Sequence, residues 1–475
     1  MQGRDQLGGQ LINGEWMRSE TTFPVLDKFS GAPLANAQSA TRAQVALAVK
    51  VAKQAADDGC PPPYERAQVL NETARLVAAH KADFIDLMVA EAGFTIPDAA
   101  GEVDRATVTL ELSAEAAKHL AGSVVPFGAS PGAERRIGFT MRDPVGVVCA
   151  ITPFNSPLNT VLHKVGPSFA AGNATVLKPS SETPLTAGLL GKLFLQAGMP
   201  KGFLSIVQGP GTVGEWLLAE QDIAFYTFTG STRVGRYIQD HAGLRRTQME
   251  LGSIASTVLC ADADLSVAIP KIANAGLRKA GQVCTSVQRL YVQDSIYEEA
   301  VARLVKEAQT LKAGDPRDPA TRVGPLISER AAQRGEQWIA DAVRAGARLL
   351  CGGKRKGSVL EPTILADVPD ACSAWCQEAF APLLCVRRFG QFEEVLKSAN
   401  DTPYGLSVGL FTRDIPTALT AIRKFQFGTV QINETSSARS DVMPFGGVKE
   451  SGFGKEGPTY AAMEMTLERL IVLNP

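Results

Sequence analysis

At 475 residues the chain is too long for one simple core and should divide into two or three domains of roughly 150 residues each. Apolar content of 45% against 20% charged is ordinary globular composition, and a net charge of −1 argues against nucleic acid or acidic lipid as a partner. Residues 1–9 are polar and no apolar run reaches the roughly 18 residues of a membrane span, so no membrane association and a cytosolic location are expected.

In chain order, the pattern around Glu102 to Leu112 reads as a helix. Residues 121–141 break the pattern, with Pro126, Gly128, Pro131 and Gly132 set between extended stretches, and read as a protruding hairpin. From 145 to 243, apolar runs alternate with helical stretches. Strands are expected at 145–151, 174–177, 203–207 and 223–228, with helices near 158–171 and 183–197. Gly198 and Pro200 supply a helix stop after the second helix. Buried strands separated by helices predict a parallel sheet with crossover helices. The pattern resumes near 255, with a strand at 257–260, a helix over 265–279, a strand from Val287 and a helix over 297–311. The expected fold class is therefore α/β, with two parallel-sheet domains and a small β arm.

Eight cysteines are scattered along the chain, and Cys372 and Cys376, four apart, have neither a second pair nor a histidine cluster to complete a zinc site. No metal is expected, and seven of the thiols read as buried or half-buried free cysteines. Cys284 differs. It stands in Gly281-Gln282-Val283-Cys284-Thr285-Ser286, after the expected helix and before the expected strand. Upstream lie Met249-Glu250-Leu251-Gly252-Ser253 and Thr152-Pro153-Phe154-Asn155. Singly, each of these three residues has a bland reading: a structural thiol, a helix-capping carboxylate, a turn amide. Together they are the groups needed to oxidise an aldehyde through a thioester. The thiol attacks the carbonyl, amide donors hold the oxyanion, and the carboxylate activates water.

Two glycine words compete as phosphate sites. Phe228-Thr-Gly230-Ser231-Thr-Arg-Val-Gly235 ends a strand and opens a helix with Ser231 as its cap, leaving N–H groups and a helix dipole for a pyrophosphate. Gly452-Phe-Gly454-Lys-Glu-Gly457 matches the dinucleotide fingerprint in letters. It has no expected strand before it and too few residues after it, so it is not taken as a cofactor loop.

With these words in place, the chain from about Leu11 onward closely resembles the aldehyde dehydrogenase superfamily, in its semialdehyde and lactaldehyde dehydrogenase-like branch. The resemblance implies residues 1–120 and 142–254 as a cofactor-binding domain and 255–443 as a catalytic domain. It makes 121–141 and 444–475 an oligomerisation arm and C-terminal segment, and the protein a homodimer or homotetramer. It makes Cys284 the nucleophile, Glu250 the general base and Asn155 the oxyanion donor. The cofactor, NAD or NADP, would meet Ile151, Thr152, Phe154, Lys178, Ser180, Ser181, Phe228, Gly230, Ser231, Val234, Gly252, Glu378 and Phe380. Strict NAD users commonly carry a glutamate three residues after the lysine. Ser181 stands there, with Glu182 one place on, which leaves room for a 2′-phosphate and makes NADP use an expectation. Ala381 departs from the family's Glu-x-Phe-Gly-Pro word.

Lys164 and Glu456 match a family proton path toward the base, with structural pairing the alternative. Val283 and Ser156, beside the nucleophile and the oxyanion donor, carry no charge. Arg105 and Arg439 match places from which relatives reach an anionic tail, which favours a small polar or acidic aldehyde over aromatic or unselective use. The remaining alternatives are a thiol hydrolase or acyltransferase, a non-catalytic binding member of the fold, and a CoA-acylating enzyme. The first lacks a recognisable Cys–His word, the intact triplet argues against the second, and Glu250 against the third.

Overall fold

The computed structural model describes residues 6–474. The polar stretch at 1–9 therefore falls partly outside the described residues. Two open sheets organise the chain. The first has eight strands in the order Glu15–Met17, Gln10–Ile12, Leu204–Ile206, Ala174–Lys178, Val147–Ile151, Phe225–Thr229, Arg246–Glu250 and Gly452–Phe453. Its inner five strands are parallel and antiparallel pieces close both edges. Val148, Cys149, Ala150, Ala174 and Val176 are each 0% exposed, the two-sided burial that a helix-covered parallel sheet imposes.

The four strands and two helices expected between 145 and 243 are all present, displaced by no more than two residues at their ends. After the edge strands Gln10–Ile12 and Glu15–Met17, the parallel strands begin in the middle at Val147–Ile151, step outward through Ala174–Lys178 and Leu204–Ile206, then cross back to Phe225–Thr229 on the other side of Val147–Ile151. That reversal opens a crevice beyond the carboxyl ends of two neighbouring strands, where doubly wound sheets take their ligands.

The second sheet has seven strands, in the order Arg348–Cys351, Thr363–Ala366, Leu383–Phe389, Val287–Gln293, Ala255–Leu259, Ser407–Phe411 and Thr429–Ile432. Only Arg348–Cys351 is antiparallel. Each sheet has its own apolar core. The helix expected over 265–279 ends at Leu277 and passes into a tight turn, Arg278–Gly281. There Lys279 (φ 51°), Ala280 (φ 53°) and Gly281 (φ 67°) are left-handed in succession, which no lysine or alanine signals in advance. At Gly281 a Cβ would lie 1.9 Å from the Ala381 carbonyl oxygen, so this backbone approach requires glycine.

The expected hairpin forms from Val124–Val125 and Ile137–Pro144, and Thr466–Leu473 adds a third antiparallel strand. The C-terminal segment divides between two places. Gly452–Phe453, in the word expected to have no strand before it, is itself the edge strand beside Arg246–Glu250. Ala461, Ala462 and Met465 join the core of the first sheet. Among the described residues, no helix is long and apolar enough to cross a membrane, and no group of three or more His, Cys, Asp or Glu side chains is placed to hold a metal. All eight cysteines are free, and Cys60 is exposed where a buried or half-buried thiol was expected.

Candidate active site

The three chemical residues come from three different elements and line one cavity of about 700 Å³. Asn155 follows Val147–Ile151 and Glu250 ends Arg246–Glu250, both at the carboxyl edge of the first sheet. Cys284 arrives from the other domain, on the loop between the Arg278–Gly281 turn and Val287–Gln293. Several bonds pin that loop. Ser286 Oγ donates to the Ala275 and Gly276 carbonyls, Ser436 Oγ donates to the Thr285 carbonyl, and Ile327 N donates to Gln282 Oε1. Asn155 Nδ2 donates to the Gln282 carbonyl at 2.8 Å, which fixes the amide across the domain boundary and leaves its second N–H free to serve an oxyanion.

Neither reactive group has a partner to ionise it. Burial first, then the negative charge of Glu250, pushes the Cys284 thiol up to about 12, with Arg439 pulling the other way. Glu250 is 3% exposed and neither carboxyl oxygen has a hydrogen-bond partner. Burial, then Glu456, raises it well above the ordinary carboxylate range, against the pull of Arg439 and Lys164. Each group thus sits in a setting that favours its neutral form.

Glu456 is the opposite case. It accepts from Lys164 Nζ at 3.0 Å, Arg439 Nη2 at 2.8 Å and Thr229 Oγ1 at 3.1 Å. Burial opposes its charge, yet Lys164 and Arg439 hold it ionised, below the usual range. Arg439 lies over the Phe445 ring at 4.0 Å, and one of its nitrogens is committed to Glu456. Arg105 pairs with Asp441 through two bonds, of 3.0 and 2.7 Å. Both arginines therefore face the cavity with their charge already shared.

Arg278 is different, and sequence reasoning missed it. It lines the cavity, its Nη2 donates to Ser437 Oγ at 2.9 Å, and among the described residues no carboxylate lies within ion-pair distance. Burial pushes its pKa down, and the charges of Asp98 and Glu102 offset this only in part. The only sequence signal was its place six residues before Cys284. Lys279, its neighbour, is by contrast tied to Glu102 at 2.5 Å and to the Asn155 carbonyl at 3.2 Å.

The residues present fit a dinucleotide. Ser231 caps the helix Thr232–Ala242, whose first turn opens at the switch-point crevice. A second cavity of about 850 Å³ is lined by Ile151, Lys178, Gly211, Gly214, Thr232 and Val234, among others. Lys178 is 7% exposed and reaches only the Pro179 carbonyl, at 3.3 Å, while burial lowers its pKa to about 8. A buried ammonium so poorly partnered suits the hydroxyls or phosphate of a ribose. Thr152 Oγ1 is also buried without a partner. Phe154, Phe380, Gly230, Ser231, Gly252 and Glu378 line the first cavity, which makes it continuous in composition with the cofactor side. Burial pushes Glu378 up to about 7 even though Ser253 N donates to it at 3.0 Å. Ser181 is half-buried, and Glu182 is drawn to Lys28 Nζ at 2.6 Å. Ser180 Oγ accepts from Glu182 N, and Phe228 is buried beside Gly230.

Comparison with known proteins places the chain in a family. The model of the aldehyde dehydrogenase family matches residues 16–471. The 3-sulfolactaldehyde dehydrogenase of Priestia aryabhattai is 45% identical over 98% of both chains. The NADP(+)-linked succinate-semialdehyde dehydrogenase GabD of Escherichia coli is 36% identical, over 95% of this chain and 94% of that one. Among solved structures, aldehyde dehydrogenase 21 from Physcomitrella patens, in complex with the reaction product succinate, superposes with a TM-score of 0.96 at 33% identity, over 98% of each chain.

Proposed function

The chain belongs to the aldehyde dehydrogenase family and oxidises an aldehyde to a carboxylic acid with NAD or NADP; from that premise we propose the roles of its residues and the kind of aldehyde it takes. Cys284 is the nucleophile. Its proton passes to Glu250, the unpaired carboxylate in the same cavity, and the thiolate adds to the carbonyl carbon. The oxyanion of the thiohemiacetal is held by the free N–H of Asn155 Nδ2 and the backbone N–H of Cys284. A bound nicotinamide would supply the hydride acceptor, and loss of hydride from this carbon leaves a thioester on Cys284. Glu250 releases the first proton to solvent, then takes a proton from water as the hydroxide attacks the thioester; the acid leaves, and the departing thiolate recovers its proton from Glu250. Lys178 would hold the ribose, the Ser231-capped helix would take the pyrophosphate, and Phe154 and Phe380 would border the nicotinamide. Burial and the charge of Glu456 raise the proton affinity of Glu250, while Lys164 and Arg439, which pair with Glu456, pull it back toward the charged form.

The substrate is a small aldehyde with an acidic tail. The observation that carries this reading is Arg278, a guanidinium on the cavity wall that bonds a hydroxyl and, among the described residues, has no carboxylate within ion-pair distance, Asp98 and Glu102 acting on it only from further off. Arg105 and Arg439 add positive charge to the same wall with part of their capacity already used. The relatives named for sulfolactaldehyde and succinate semialdehyde have anionic substrates of this size. A steady-state panel of acidic, neutral, aromatic and long aliphatic aldehydes with both cofactors tests it. Higher kcat/KM for benzaldehyde-like or long aliphatic substrates than for acidic ones overturns it.

The assembly we propose is a cytosolic homodimer or homotetramer built through the arm. Its three-stranded sheet exposes Val124, Ile137, Leu467, Leu470 and Leu473, an apolar run that isolated subunits would leave in water. Sedimentation of the wild type and of Leu470→Glu checks this, with the charged variant expected to dissociate.

A further inference from the structure

His163 takes no part in the chemistry above, yet it lines the same cavity as Arg278 and Arg105. The residue is 1% exposed, Nε2 donates to Asp441 Oδ1 at 2.9 Å, and Nδ1 is buried without a partner. Asp441 also accepts two bonds from Arg105 and one, at 2.9 Å, from Asn159 Nδ2. So crowded by donors, the carboxylate acts only as an acceptor, and the proton between it and the ring is fixed on Nε2. Burial, then Arg439, disfavours the imidazolium, against the opposing pull of Asp441 and Glu456. The ring is therefore neutral, and Nδ1 presents a bare lone pair. An acceptor left bare in a dry wall costs free energy until a donor reaches it. The cavity thus has two unmet demands, an anion for Arg278 and a hydrogen-bond donor for His163.

We infer that this cavity selects an aldehyde that carries a hydroxyl on the short chain between the carbonyl and its acidic group, with His163 Nδ1 accepting from that hydroxyl and Asp441 as the positioning residue that fixes the tautomer. The inference rests on the acidic-aldehyde reading above and narrows it. A hydroxyl-free semialdehyde would meet Arg278 and leave Nδ1 bare. A hydroxylated one meets both.

The test measures kcat/KM of the full chain on two matched pairs: 2-hydroxy-3-sulfopropanal against 3-sulfopropanal, and lactaldehyde against propanal. The wild type should favour the hydroxylated member of each pair by about 10- to 100-fold, the usual return on satisfying a buried polar group. His163→Leu should lower both ratios by about tenfold or more, while His163→Gln, which keeps an acceptor, should retain part of the preference. Asp441→Asn should lower them too, because an amide can donate to Nε2 and send the ring proton to Nδ1. The intrinsic reactivities of the aldehydes cancel between wild type and variant, so the change in ratio reads the contact alone. Unchanged ratios in His163→Leu overturn the inference. If that variant does not fold, wild-type ratios near one overturn it. Should the sulfonated pair be no better than the uncharged pair, the acidic-aldehyde reading fails, and the uncharged pair still decides whether His163 reads a hydroxyl.

Discussion

Two sets of ionisable groups face the same cavity and are treated oppositely by the fold. Glu250 is buried and Cys284 half-buried, neither with an ionic partner, and desolvation pushes both toward their protonated forms. Around them, Lys164 with Glu456, Lys279 with Glu102, and Arg105 with Asp441 are locked in pairs. The groups that must gain and lose protons in each turnover are left free to do so, and the groups that only position are held at constant charge. Substitutions in the first set should therefore act on rate and its pH dependence. Substitutions in the second should act on geometry, KM and selectivity.

The largest effect should come from the first set. Cys284→Ser should lose activity by about 10⁴-fold or more while still binding cofactor, read by calorimetry. A variant that kept a tenth of the activity would place the nucleophile elsewhere. Next, Glu250→Gln should give a burst of reduced nicotinamide and then slow turnover, and Asn155→Ala should cost roughly 100- to 1000-fold in kcat. Wild-type turnover in Glu250→Gln, or a loss below about tenfold in Asn155→Ala, would leave these two residues with structural roles only.

The pH profile sharpens the same contrast. Both reactive groups work deprotonated, and both are raised in the folded enzyme. Activity should therefore climb with pH across and above neutrality, and should not level off at the pH of an ordinary carboxylate. Arg439 favours the charged form of each, so Arg439→Gln should move this rise to higher pH. An unmoved profile would detach Arg439 from the reactive pair.

Outside both sets, Arg278→Ala should raise KM for an acidic aldehyde at least about tenfold, a loss of about 1.4 kcal/mol, and leave an uncharged aldehyde of the same length nearly unaffected. Arg439→Ala should raise it less, since one of its nitrogens already serves Glu456. The reverse order would exchange their assignments. The smallest effect concerns the cofactor. Ser181→Glu should weaken NADP a few-fold more than NAD through like-charge repulsion at the 2′-phosphate. Equal effects would put Ser181 away from the ribose.

The parallel core of the first sheet was legible because its strands are buried on both faces and read as unbroken apolar runs. The edge pieces Glu15–Met17 and Gly452–Phe453 were not, being two or three residues long and without a period of their own. Helix Leu265–Leu277 was found but not its end, because the left-handed Lys279 and Ala280 are imposed by surroundings and not by residue type. At the site, residues set in dense sequence words, such as Cys284 and Glu250, could be paired from sequence alone. Arg278, His163 and Asp441 could not. An arginine, a histidine and an aspartate spread over nearly 300 positions carry no local pattern, and only the folded chain brings Arg278 and His163 to one cavity with Asp441 bonded to the ring. Arg105 and Arg439 were chosen for their charge, which sequence shows. The carboxylates that share it become visible only in three dimensions.

The edge strand Gly452–Phe453 has a consequence for synthesis. Glu250 closes the strand it borders, and Ala461, Ala462 and Met465 belong to the core built mainly from residues 11–251. A ribosome delivers that core's last pieces only after the whole second sheet has been made. Until then the strand Arg246–Glu250 stands as an open edge, able to pair with any other exposed strand in its vicinity. The first domain to emerge is thus the last to be finished. A chain that stops some 25 residues early should be lost to aggregation before it is lost to catalysis, although it carries every residue through Phe445 that the chemistry names.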